Sequence, residues 1–83
     1  MNRVLINLRV PAISDSFDIF VPSDVPISKL NKIIANGVSE LTSGVYVVSE
    51  QEQLCIKEPL GLLNPQLTLQ DYGITDGMQL FLI

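Results

Sequence analysis

Eighty-three residues with 47% hydrophobic content allow one globular unit with a core of its own, spanning residues 1–83. Five basic against nine acidic residues give a net charge of -4. The basic residues Arg3, Arg9, Lys29, Lys32 and Lys57 are scattered, which argues against a nucleic-acid or anionic-membrane surface, since both need clustered cations.

Residues 3–10 alternate, with Val4, Ile6, Leu8 and Val10 on one face and Arg3, Leu5, Asn7 and Arg9 on the other. This predicts a strand with one buried side. Pro11 and Ser14-Asp15-Ser16 predict a loose hairpin turn. A second strand follows with Phe17, Ile19 and Val21 inward, ended by Pro22. A helix is expected from near Pro26, with Ser23 or Asp24 as cap. Ile27, Leu30, Ile34, Val38 and Leu41 form its apolar stripe. Gly37 weakens it, and Ser43-Gly44 terminates it.

Val45-Tyr46-Val47-Val48 has strand composition. Glu50 to Gln53 reads as a solvated turn before a short partner strand, Leu54-Cys55-Ile56. Residues 58–66 form a loop that packs Leu60, Leu62 and Leu63. Leu67–Tyr72 suits a helical turn, and Asp76-Gly77 turns the chain into a last strand. There Met78, Leu80 and Leu82 alternate with Gln79, Phe81 and Ile83. One helix covering one face of a sheet of about five strands makes an α+β two-layer domain.

Val21-Pro-Ser-Asp24 before the helix and Thr68-Leu-Gln-Asp-Tyr-Gly-Ile74 before the last strand resemble ubiquitin. The likeness implies a ubiquitin-like β-grasp with a mixed sheet. Val21–Ile27, the segment 45–57 and Asp71–Gly77 narrow it to the YukD/EsaB group and to the ubiquitin-like domain of a type VII secretion channel protein. That narrower resemblance implies a non-conjugating accessory component of the machinery that exports WXG100 proteins from Gram-positive bacteria. It would bind a membrane component or ATPase of the system, or a second copy of itself. The resemblance to ubiquitin implies a structural Tyr72, its hydroxyl bonded to a nearby loop backbone.

No cofactor, metal or enzymatic activity is expected. The chain has no histidine, which removes the commonest bases and metal ligands. The lone Cys55 sits among apolar strand residues and reads as a buried thiol. Glu50/Glu52 and Asp71/Asp76 read as solvated or capping carboxylates. Conjugation or sulfur-carrier chemistry, the rival reading, requires a slack Gly-Gly tail, whereas Leu80–Ile83 reads as sheet. A generic regulatory module is a third reading. With no signal segment and no long apolar run, a soluble cytoplasmic protein is expected, peripheral to a membrane complex at most.

Function is then recognition. The first and last strands are neighbours in this fold. Leu5, Phe81 and Ile83 are therefore expected to cluster on the open sheet face, flanked by Arg3 and Arg9. The third strand is expected to add Tyr46 and Val48, or else Val45 and Val47. Phe20 is a separate outward aromatic on the second strand.

Overall fold

The computed structural model describes residues 2–56 and 61–83. Strand β1 (Arg3–Val10) pairs antiparallel with β2 (Asp15–Pro22), from Arg3↔Pro22 to Val10↔Asp15. The connection is a short 3-10 turn, Pro11–Ile13, closed by a left-handed Ser14 whose N–H donates to the Pro11 carbonyl. On the far side β1 pairs parallel with β4 (Met78–Leu82), Ile6 opposite Met78 and Leu8 opposite Leu80. The two-residue β3 (Leu54–Cys55) pairs antiparallel with β4, so the sheet order is β2-β1-β4-β3.

Helix α1 (Ile27–Leu41) lays Ile27, Leu30, Ile34, Ala35 and Val38 into the core. They meet the inward residues of the strands, with Ile6, Leu8 and Leu80 inaccessible to solvent. The helix runs past Gly37 to Leu41, beside the expected terminator Ser43-Gly44. Three points differ from expectation. Leu41, placed on the apolar stripe by its spacing, is 58% exposed. Neither Ser23 nor Asp24 caps the N-terminus; instead the N–H groups of Ile27 and Ser28 donate to the carbonyls of Leu67 and Pro65 at 2.8 and 2.9 Å. A loop distant in sequence thus satisfies donors that local side chains normally take.

The third difference is the strand count. Residues 45–48 join no ladder among the described residues, and β4 has Leu54–Cys55 as its neighbour instead. The alternation survives without the strand. Tyr46 is buried and Val48 half-buried against the core, while Val45 and Val47 face solvent. Within the predicted loop, Leu63 is buried and Leu62 exposed; Leu60 lies outside the described residues.

The segment before β4 follows its expected chemistry. Thr68 and Asp71 exchange side-chain and backbone hydrogen bonds at 2.9 and 3.0 Å, the reciprocal arrangement of a capping box. Tyr72 hydroxyl oxygen accepts the Asn64 N–H at 2.8 Å, tying the turn to the loop. Leu69 carries the segment into the core with no exposed surface. Gly77, at a φ of 90°, turns the chain so that its N–H reaches the Leu5 carbonyl, while the Asp76 carboxylate accepts the Leu5 N–H.

Gly37 has no steric reason to be glycine: a Cβ there would meet nothing within 4 Å. Gly37→Ala should therefore stabilise the domain by about 1 kcal/mol and raise Tm by about 4–8 °C, measurable by thermal denaturation.

Candidate protein-interaction surface

The outward positions of the sheet are Arg3, Leu5, Asn7 and Arg9 on β1, Ser16, Asp18 and Phe20 on β2, and Gln79 and Phe81 on β4. Their order follows from the register. Asn7 stands between Asp18 and Gln79, donates to the Asp18 carboxylate at 3.0 Å and accepts from Gln79 Nε2 at 3.1 Å. This band of three polar side chains crosses the middle of the face.

The band divides the expected apolar cluster. On one side Leu5 is half-buried opposite Phe20, and the Arg3 guanidinium lies 5.2 Å from the centre of the Phe20 ring, a cation–π contact. On the other side Arg9 is opposite Phe81. The two line an open depression of about 500 Å³ with Pro11 and Ser14–Ser16. Leu5 and Arg9 are four residues apart on one strand, roughly 13 Å. Leu5 therefore does not share a patch with Phe81. Ile83 extends the Phe81 side: it is 48% exposed and exchanges both backbone hydrogen bonds with Gln53.

Tyr46 and Val48 are not on this face. Tyr46 has its N–H on Thr42 Oγ1 at 3.0 Å and its hydroxyl on the Glu52 carboxylate at 2.9 Å. Glu52, read from the sequence as a solvated turn residue, is buried and also accepts the Ser49 N–H. Burial alone would raise the Glu52 pKa. Hydrogen bonds from the Ser49 and Glu52 backbones and from the Tyr46 and Ser49 side chains outweigh it and hold the carboxyl below its usual range. Burial, then the hydrogen bond to Glu52 and its negative charge, push the Tyr46 phenol up to about 12. This pair ties Tyr46 to Glu52 across the irregular segment 45–53.

Because the folded-state pKa of Tyr46 is raised, its contribution is fully present below the unfolded value of 10.0 and is lost as pH rises toward about 12. Tyr46→Phe should cost about 1 kcal/mol at neutral pH. It should also flatten the fall in stability across that alkaline window, read by urea denaturation at successive pH values.

Cys55 is buried opposite Phe81, its Sγ 3.8 Å from the Phe81 carbonyl oxygen. Among the described residues, no three or more Cys, Asp or Glu side chains come together as a metal site, and no helix is long and apolar enough to cross a membrane. Asn7, Gln79 and Glu52 are the residues of structural consequence that sequence reading passed over. Only the alternation of Asn7 and Gln79 pointed to their face.

Neither a family model nor a characterised protein matches the sequence. Solved structures do match. The ubiquitin-like domain of the Mycobacterium tuberculosis type VII secretion protein ECCD1 superposes with a TM-score of 0.80 at 16% identity, covering 100% of this chain and 99% of that one. The chain has the ubiquitin-like β-grasp fold. The EccD5 ubiquitin-like domain from Mycobacterium xenopi aligns with this β-grasp at a TM-score of 0.72 and 19% identity, over 100% and 94% of the two chains. A chain of the MycP5-free ESX-5 inner membrane complex matches at 0.71 and 16% identity; 98% of this β-grasp domain covers 20% of that longer polypeptide.

Proposed function

We propose that this ubiquitin-like domain is a non-conjugating accessory component of a Gram-positive type VII secretion system, of the YukD/EsaB kind. It works by binding a protein of the membrane complex or its ATPase, without a covalent step. The observation that carries the reading is the end-to-end correspondence with the ECCD1 ubiquitin-like domain, 100% of one chain on 99% of the other. The Arg9–Phe81–Ile83 side of the sheet is the contact surface, a half-buried aromatic beside a cation at the rim of an open depression. The Leu5–Phe20–Arg3 side is a separate apolar patch.

The test is capture of partners by the tagged domain from lysate of a Gram-positive bacterium that expresses the system. A secretion ATPase or membrane component should be retained. Arg9→Glu and Phe81→Ser should each weaken that capture by about tenfold. Arg9→Glu should leave the thermal transition in place, since Arg9 is exposed. Incubation with ATP and an activating enzyme separates the rival: an adenylated or thioester-linked product would establish a modifier or sulfur carrier.

A further inference from the structure

Among the described residues no strand pairs with the outer edge of β2, and the backbone groups that face that edge can be assigned. Leu5 directs its N–H to Asp76 and its carbonyl to Gly77, both on the β4 side of β1. Leu5 and Phe20 therefore form a non-hydrogen-bonded pair. The N–H and C=O of Phe20 point away from β1 to the open edge, as do those of Asp18 two residues earlier. Pro22, next in that series, has no N–H and closes the edge at one end.

Beside this edge runs a groove of about 390 Å³ between β2 and α1, lined by Ile19, Phe20, Ile33, Gly37, Glu40 and Leu41 among others. Ile33, Gly37 and Leu41 are four residues apart and share one helix face. Ile33 and Leu41 are 45% and 58% exposed, and Phe20 is 61% exposed. Gly37 keeps the floor between the two aliphatic side chains open. Nothing among the described residues occupies the space its Cβ would take, and glycine weakens a helix interior.

Charge narrows the occupant. Glu40 lines the groove and Asp15 and Asp18 lie on the edge strand, three carboxylates against the one guanidinium of Arg3, which is held over the Phe20 ring. A second copy would set these same carboxylates against themselves, in a chain already at net charge -4. We propose that the β2 edge and the α1 groove bind an extended segment of a partner protein, added as a further strand of the sheet. The segment is apolar at alternate positions, so that every second side chain enters the groove over Gly37, and carries Lys or Arg beside them. Backbone pairing gives affinity, and the groove gives selectivity. This goes beyond the secretion reading and uses a different surface from Arg9 and Phe81.

The test uses an acetylated nine-residue peptide of alternating valine and threonine with two lysines at each end, titrated into the isotope-labelled domain. Amide resonances of Asp18, Phe20 and Gly37 should shift, and the Asp18 and Phe20 amides should gain protection from hydrogen exchange. N-methylating the peptide at its central edge-facing amides should weaken binding at least about tenfold. Replacing its lysines with glutamates should do the same. Gly37→Leu, which fills the groove, should weaken binding comparably while the circular dichroism spectrum is retained. Equal binding of the N-methylated peptide, shifts confined to Asn7, Arg9 and Phe81, or no shifts at about 1 mM peptide would overturn the proposal. So would a concentration-dependent dimer abolished by Gly37→Leu, which would give the groove to a second copy. Loss of partner capture on Arg9→Glu with peptide binding intact separates failure of one surface from failure of the other.

Discussion

Glu52→Ala should destabilise the domain by about 2–4 kcal/mol at neutral pH, because two donors lose a charged acceptor at once. The Tyr46 hydroxyl and the Ser49 N–H both end on this carboxylate, and the alanine offers neither a partner. The effect should depend on pH with a definite sign. The pKa of Glu52 is depressed on folding, so its contribution is present above the unfolded value of 4.5 and disappears as pH falls through the lower, folded value. Urea denaturation of both proteins from pH 7 to pH 2 should show the two stabilities converging at the acid end. A gap that stayed constant over that range would mean that the carboxylate's charge is not what stabilises segment 45–53. Glu52→Gln should fall between, since an amide oxygen still accepts but without charge.

Leu69→Ala should cost about 2–5 kcal/mol, the range for emptying a fully buried leucine site. A domain of this length has a total stability of about 4–12 kcal/mol, so the variant should approach the threshold of folding at 37 °C. Leu69 is completely buried, and its carbonyl accepts the N–H groups of Tyr72 and Ile74 at 3.1 Å. The side chain therefore anchors the turn that delivers Asp76 to Leu5 and Tyr72 to Asn64. Thermal denaturation checks the loss. Leu67→Ala, at a site 38% exposed two residues away, should cost under about 1 kcal/mol. Similar losses in the two variants would show that the segment is held by its backbone bonds and not by the buried side chain.

The parts of the fold that could be read in advance are those whose buried face repeats. β1, β2, α1 and β4 each carry a period of 2 or 3.6, and it identified their inward residues apart from Ala35, which it missed, and Leu41, which it wrongly included. Asp71 was legible because its capping partner lies three residues away, and Tyr72 because of the resemblance to ubiquitin. Val45–Val48 misled because strand composition describes a half-buried extended chain and does not supply a neighbour to pair with. Tyr46 found its partners in Thr42 and Glu52, and β4 took Leu54 and Cys55. Glu52 was unreadable for the same reason: a carboxylate is buried only where the fold converges donors on it. The open face was half legible. Alternation told which way Leu5 and Phe81 point, but the parallel register that sets Asn7 beside Gln79, and so parts them, is a long-range fact.

That register also imposes an order in time. Gln79 reaches Asn7 across 72 residues of sequence, and β4, made after every other strand, is seated between β1 and β3. A ribosome delivers the central plank of the sheet last. Until it emerges, Leu8 has no Leu80 beside it, and the β1–β2 hairpin and α1 hold apolar surfaces that nothing yet covers. Closing so long a loop before any contact rewards it slows folding. The domain must therefore complete its sheet after most of its translation is over, and a nascent chain stalled before Met78 is the species most exposed to aggregation and to chaperone capture.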